Sequence, residues 1–402
     1  MGHRPWFVFA GGGTGGHLFP ALAVVESLRE RGEGIDVSFF CTERALDREI
    51  LGAAQVEAVP LGVQPVPSRP WRWPGFLLRW RASVSLCKRA FSDRQPAVVI
   101  GAGGYASGPP VAAALRLGVP TFLLNPDAVP GLANQHLARR RGMTGVFAQW
   151  PVTRDRFPPP VPVMVTGCPV RRAFCSFGGV GMNARGAGAE EDSRGSDVME
   201  RRVVEEARQS LGLDPGRRTL LVTGASQGAR TVNEAMIRLA GVVASWGWQV
   251  LHLSGSADRE RVARAYAEAG TPGAVYPFTD RMADAMVAAN LIVSRAGAST
   301  LAEILAVGRP AMLLPYPFHR DRHQWHNGAV LVEAGAAVML EDLKDASANV
   351  RQMSPVLTSL VTDDARRDKM AAAARALGRP DAADRVADRL CEAAKTGDRK
   401  CL

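Results

Sequence analysis

Residues 6–17 read WFVFAGGGTGGH, and the fold is decided by how this stretch is read. Trp6 to Ala10 is a continuous apolar run, glycines occupy 11–13 and 15–16 around Thr14, and an apolar-periodic stretch runs from Leu18 to Leu28. Strand, glycine loop and helix in that order frame a phosphate site, because a helix N-terminus offers free amide N–H groups and partial positive charge. Gly11, Gly13 and Gly16 also satisfy G-x-G-x-x-G, the dinucleotide fingerprint. That fingerprint calls for an acidic residue after the second strand. Glu43 stands there, but its position suits the start of the next helix.

The same strand–turn–helix pattern repeats along the chain. Strands are expected at 5–10, 35–41, 97–101, 120–124 and 145–148, with helices at 18–31, 43–52, 76–91 and 109–117. In the second half, strands are expected near 219–223, 248–253, 274–276, 291–294 and 311–314. Helices fall there near 230–244, 257–269, 281–288, 300–307 and 322–334. Such alternation predicts an α/β protein with two doubly wound parallel sheets, Rossmann-like, whose loops face one cleft. The first domain is placed at 1–170 and the second at 205–382. Residues 171–204 read as linker and insertion; 176–200 is rich in Gly, Ser and charge and lacks an apolar period. A C-terminal helix at about 383–398 is expected to return onto the first domain.

Three further glycine loops follow predicted strands: GAGGYASGPP at 101–110, TGASQGAR at 223–230 and SRAGASTLAEI at 294–304. One such loop is ordinary turn chemistry as often as a site; two per domain point to a diphosphate-handling cleft. His17 closes the first loop and is either a helix cap or a proton acceptor for a hydroxyl, imidazole being suited to proton transfer near neutral pH. Asp127 in NPDAVPG is a second candidate catalytic or donor-binding group, or the opening of an Asx-turn. Glu303, read on the first turn of its helix, can accept both ribose hydroxyls of a nucleotide or complete a capping box with Thr300. In PYPFHRDRHQWHNGA (315–329), His323 and Asp321 lack the spacing of a zinc site, so Gln324 and Asn327 are read as sugar-hydroxyl partners and no metal is expected.

The chain has 402 residues, 47% hydrophobic, and a net charge of +10, which suits an anionic partner. Its six cysteines form no C-x-x-C pair, which argues against a zinc ribbon or dithiol motif. No signal-like h-region precedes the first strand and no window is apolar enough to span a bilayer, so membrane contact is expected to be peripheral. The stretch 69–91 carries Trp71, Trp73, Phe76, Leu77 and Trp80 among arginines that include Arg79 and Arg81. It reads as an amphipathic helix for an anionic membrane surface, or as an ordinary sheet-covering helix. No nucleic-acid motif accompanies it, and nucleic acid is not expected as a partner.

GGTGGH with FPALAV after it, GGYASGP, GLANQHLA, GCPVR, GASQGAR, SRAGASTLAEI and PYPFHRDRHQWHNGA occur in this order over about 5–395, omitting 176–204. The ordered set resembles the MurG family of N-acetylglucosaminyltransferases, in glycosyltransferase family 28. The resemblance implies a GT-B architecture and inverting transfer of N-acetylglucosamine from UDP-N-acetylglucosamine to the C4 hydroxyl of undecaprenyl-diphospho-muramoyl-pentapeptide. It implies peripheral attachment at the cytoplasmic face of the inner membrane, other cell-wall synthesis proteins as partners, and no cofactor or metal in the site. For the donor it implies Thr14, Gly15, Gly16, Asp127, Arg171, Ser226, Thr279, Ala298, Ser299, Thr300, Leu301, Glu303 and Gln324. By the same resemblance Arg171 would lie at the donor end of the cleft and Ser226 at the diphosphate, Thr279 would give backbone contacts beside the uracil, and 298–301 would line the phosphate. The resemblance further implies that Gly13, Gly103, Gly104 and Tyr105 face the acceptor diphosphate and that His17 assists the acceptor hydroxyl. Three departures stand out: Leu124-Asn125-Pro126-Asp127 replaces the family's His-Glu-Gln-Asn, Cys168 replaces Asn, and Ala225 replaces Gly. A related UDP-sugar transferase with another lipid acceptor, or a non-catalytic nucleotide-binding module, is the alternative.

Overall fold

The computed structural model describes residues 4–32, 34–175, 177, 191–224, 228–318 and 321–398. The chain forms two compact units, 1–171 with 381–402 and 172–380.

In the first unit the strands are β1 (Trp6–Ala10), β2 (Asp36–Thr42), β3 (Glu57–Leu61), β4 (Val98–Gly101), β5 (Thr121–Asn125), β6 (Gly145–Ala148) and β7 (Val163–Val165). The helices that precede β7 are α1 (Gly15–Glu30), α2 (Ala45–Ala53), α3 (Trp73–Asp93), α4 (Gly108–Arg116) and α5 (Leu132–Ala138). The sheet runs β3-β2-β1-β4-β5-β6-β7, and every pairing is parallel. β1 shows why the apolar run had to be continuous. Phe7 and Phe9 point to the face covered by α1, while Trp6, Val8 and Ala10 point to the face covered by α3. Each fully buried Phe contributes roughly 1.5–3 kcal/mol by leaving water.

The C-terminal helix (Ala382–Asp398) packs on α1 in this unit, with Val386, Ala387 and Leu390 fully buried in the same core as Phe9 and Leu28. Arg31 pairs with Asp384 at 3.1 Å and Asp388 at 2.8 Å, and Ser27 Oγ donates to Asp384 at 2.7 Å. Partly exposed pairs of this kind are worth about 0–1 kcal/mol each, so the apolar seam carries the docking.

In the second unit the strands are β8 (Thr219–Thr223), β9 (Gln249–Leu253), β10 (Gly273–Tyr276), β11 (Leu291–Ser294), β12 (Ala311–Leu313) and β13 (Ala337–Met339). Its order is β10-β9-β8-β11-β12-β13, again all parallel. The helices are α6 (Glu191–Ser210), α7 (Arg230–Arg238), α8 (Ala240–Ser245), α9 (Arg259–Glu268), α10 (Met282–Ala288), α11 (Ala298–Val307), α12 (His323–Glu333), α13 (Ala346–Thr362) and α14 (Asp364–Leu377). The helix expected at 230–244 is thus two helices broken at Leu239.

Some elements differ from the sequence reading. Residues 191–200, read as linker, begin α6. That helix is polar over much of its length and is laced by pairs such as Arg202–Glu206 at 2.8 Å, so it shows no long apolar stripe. Strands β3, β7 and β13 were not anticipated: their sheets place them beside β2, β6 and β12, where three to five residues suffice.

Candidate active site

In an open parallel sheet, ligands gather beyond the strand C-termini where the strand order reverses. Those reversals lie between β1 and β4 in one unit and between β8 and β11 in the other. The four glycine loops follow these four strands, so each unit brings its pair of loops to its own switch point.

In the first unit the two loops are locked together through His17. A Cβ on Gly103 would lie 2.8 Å from His17 Cδ2, and one on Gly104 would lie 3.2 Å from Nδ1, so the imidazole rests on glycine backbone. Both glycines have positive φ, 105° and 74°, which favours glycine independently of space. His17 Nδ1 lies 3.2 Å from the Gly12 carbonyl and 3.3 Å from Thr14 Oγ1. A carbonyl oxygen only accepts, so Nδ1 is the donor, and in the neutral ring the lone pair is then on Nε2. That is the tautomer a proton acceptor needs.

The first loop is held from below by Asp47, which sequence reading missed. Its buried carboxylate accepts from Gly13 N–H at 3.0 Å, Thr42 N–H at 3.1 Å and Thr42 Oγ1 at 2.6 Å. A Cβ on Gly12 would lie 2.3 Å from Asp47 Oδ2, so only glycine fits there. Arg44 Nη1 donates to the Gly13 carbonyl at 2.8 Å. This corrects the expectation for Gly13: its N–H is committed to Asp47. Thr14 is the N-cap of α1, which leaves the first-turn amides of Gly15 and Gly16 for an anion. No local signal marks Asp47; the contact spans 34 residues. Tyr105 is half-buried and packs against the α3-side core.

Asp127 is half-buried after β5. The turn around it is closed by its neighbour, since Asn125 Nδ2 donates to the Asp127 carbonyl at 2.7 Å. Asn125 Oδ1 in turn accepts from Asn134 Nδ2 at 3.1 Å. Arg171 sits over the ring of Phe19 in α1, with 5.0 Å from its guanidinium carbon to the centroid. Cys168 is buried.

In the second unit, Gly297 is the N-cap of α11, so Thr300 stands at the third helical position and cannot be the N-cap of a capping box. Glu303 is half-buried on the second turn, not the first. The amides of Ala298, Ser299 and Thr300 belong to the unpaired first turn. Leu301 differs: it is fully buried and its N–H already donates to Gly297 at 2.9 Å. Its part is packing under the loop.

Gln324 Oε1 accepts from Ala296 N–H at 3.2 Å and Tyr316 N–H at 2.8 Å. It therefore ties the loops after β11 and β12 together and offers its amide N–H groups to a ligand. Asn327 is buried and turns to the Ala296 carbonyl at 3.5 Å. Thr279 follows β10 at the sheet edge, and its hydroxyl accepts from Arg281 N–H at 3.0 Å. Ser226 lies outside the described residues. Among the described residues no group of three or more His, Cys, Asp or Glu converges as a metal-ligand set.

Two buried polar networks brace these loops. Arg295 pairs with Asp342 at 2.7 Å and also donates to Thr231 at 2.8 Å and to the Leu314 carbonyl at 2.9 Å. Burial would push the Asp342 carboxyl up, but hydrogen bonds from Thr231, Asn349, the Lys344 N–H and Arg295 hold it below its ordinary value. His252, fully buried on β9, lies 3.0 Å from both Tyr266 Oη and Asn233 Oδ1. Burial drives its pKa down to about 3, so it is neutral. Asn233 Nδ2 donates to the Ser254 carbonyl at 2.8 Å. That carbonyl lies 2.4 Å from where a Cβ on Gly228 would stand, which fixes the end of the third glycine loop. A histidine in the apolar run QVLHL was the available sequence signal.

The basic aromatic stretch begins in a short turn (Pro70–Arg72) and continues as α3. Trp71 and Leu78 are 71% and 67% exposed, and Trp73, Leu77, Arg79 and Arg81 are also exposed. Trp80 is a correction. Its ring lies against Gly108, where a Cβ would come within 2.3 Å, and it packs on the core with Phe76 beside it at 6.1 Å. No helix of the described residues is long and apolar enough to cross a membrane.

Two doubly wound units, each with paired glycine loops at its switch point, give the GT-B fold. Residues 7–145 match the glycosyltransferase family 28 N-terminal domain and 219–386 its C-terminal domain. The chain is 37% identical over 389 residues to a Nitratidesulfovibrio vulgaris protein named UDP-N-acetylglucosamine--N-acetylmuramyl-(pentapeptide) pyrophosphoryl-undecaprenol N-acetylglucosamine transferase, covering 96% of this chain and 97% of that one. A Halalkalibacterium halodurans protein of the same name is 33% identical over 401 residues, with 96% and 99% covered. The crystal structure of Acinetobacter baumannii MurG superposes with a TM-score of 0.70 at 24% identity over 96% of this chain and 99% of that one, which agrees in fold. The chain belongs to glycosyltransferase family 28, among its MurG-type members.

Proposed function

We propose that this chain transfers N-acetylglucosamine from UDP-N-acetylglucosamine to the C4 hydroxyl of an undecaprenyl-diphosphate-linked muramoyl-pentapeptide, inverting the anomeric centre. Donor and acceptor follow from the names of relatives that match nearly end to end. The observation that carries the chemistry is His17, seated on both N-terminal glycine loops with Nε2 bearing the lone pair. His17 Nε2 takes the proton from the C4 hydroxyl as its oxygen attacks C1 of the donor sugar, and the bond to UDP breaks on the opposite face. The amides of 298–300 and Arg171 meet the charge that develops on the leaving diphosphate, so this route calls on no metal. Glu303 holds the ribose and Gln324 the sugar. The amides of Gly15 and Gly16 serve the donor, and the backbone of Gly103 and Gly104 serves the acceptor diphosphate. The exposed apolar and basic face of α3 sits in the headgroup region at the cytoplasmic side of the inner membrane.

The test is transfer of radiolabelled N-acetylglucosamine from the UDP-sugar to the lipid-linked muramoyl acceptor; absence of transfer under every detergent condition refutes the reading. A second reading, a different lipid acceptor, is favoured by one observation. Asn125 is buried with its side chain spent on the turn, so Asp127 supplies the only carboxylate of 124–127. An acceptor panel separates the two.

A further inference from the structure

We infer that Phe19 is a positioning residue for the leaving group: its ring is the platform that carries the Arg171 guanidinium to the first turn of α1. The guanidinium carbon stands 5.0 Å from the Phe19 centroid, within the range of a cation–π contact. The ring packs directly on Gly15, where a Cβ would lie 2.8 Å from Phe19 Cε2 and would force the ring to shift. Gly15 is the first residue of α1, so the stack sets the guanidinium beside the helix N-terminus that holds two uncommitted amides. Arg171 ends the first unit's continuous chain and follows β7 by six residues. A long side chain there has many rotamers, and a flat aromatic face selects the few that aim it at the loop. Preorganised positive charge is what a departing nucleoside diphosphate requires.

This inference rests on the donor role proposed for Arg171, and the experiment separates the two. The probe is UDP alone, titrated by calorimetry into the full chain, with steady-state kinetics for the donor alongside. Phe19→Leu keeps apolar bulk but removes the π face. It is expected to weaken UDP and lower kcat/KM roughly 2- to 30-fold, the span between an exposed and a desolvated cation–π contact. Phe19→Tyr keeps the face and is expected to behave like the unmodified chain, which a purely packing role for the ring does not require. In an Arg171→Ala background, Phe19→Leu is expected to add less than about a twofold effect, because a residue acting through another has nothing left to act through. Equal losses in both backgrounds, no loss in Phe19→Leu, or no recovery in Phe19→Tyr overturns the inference. So does an Arg171→Ala chain that binds UDP normally. A chain that shows the expected UDP pattern but transfers no sugar refutes the acceptor reading and leaves the platform standing.

Discussion

His17 shows how much a single ring depends on neighbours without side chains. Gly103 and Gly104 leave the space, and the Gly12 carbonyl chooses the tautomer. His17→Ala is expected to lower kcat about 10²- to 10⁴-fold, the usual share of a general base, with donor KM nearly unchanged. Loss confined to donor KM contradicts the proton-transfer role. For Glu303→Ala the expectation is opposite in kind: donor KM rises strongly while the acceptor KM holds, and unchanged donor kinetics rule out the ribose contact. His252 gives a pH signature. Its folded pKa, about 3, lies below the ordinary histidine value near 6.5, so protons bind preferentially to the unfolded chain between those values. Stability of the second unit is full above about pH 6.5 and declines as pH falls towards 3. Denaturant unfolding of His252→Gln should show a shallower decline over pH 7 to 4 than the unmodified chain, and parallel curves refute the assignment.

At the scale of elements, α3 carries two faces with separate tasks. Val84, Cys87 and Phe91 bury into the sheet, and Trp80 seats on Gly108, whereas Leu77 and Leu78, with Trp71 from the turn before the helix, stay outside with the arginines. Trp71→Ser combined with Leu78→Ser should therefore reduce co-sedimentation with vesicles rich in anionic lipid by several-fold while the melting temperature holds. A fall in melting temperature with unchanged vesicle binding assigns the face to packing. The same helix shows what was legible. Apolar and basic residues at helical spacing are visible in the sequence, but which tryptophan faces the core depends on Gly108 of α4, nearly thirty residues on. The loop after β1 tells a similar story. Its glycines announce a phosphate-type turn, yet the carboxylate that holds it, Asp47, sits on the next helix and leaves no local trace.

At the scale of the molecule, the last helix belongs to the first unit. Leu390 is fully buried against the core built on α1, although residues 172–380, which precede this helix, form the second unit. Leu390→Ala is expected to cost the first unit about 2–5 kcal/mol, the range for truncating a buried leucine, while the unfolding transition of the second unit holds. Calorimetric scanning with and without UDP reads this directly, and an unshifted first-unit transition refutes it. The two units repeat one topology, and both place glycine loops after the strands that flank the reversal of order. That repetition is visible from residue types alone because a strand covered on both faces must be apolar throughout and its following loop must be small.

The class of sheet, the four loops and the family are legible in residue types and their order alone. These rest on local periodicity, on glycine's tolerance of positive φ and on motifs kept in order along the chain. Which amides and carbonyls remain available depends on contacts made in the folded chain. Gly13 and Leu301 lie in glycine loops but have their N–H groups spent, one on Asp47 and one on Gly297. Gln324 turns its oxygen to two backbone amides and keeps its N–H groups. The reason is physical. A backbone hydrogen bond is settled by whichever partner the fold brings within about 3 Å, and those partners come from strands and helices distant in the chain.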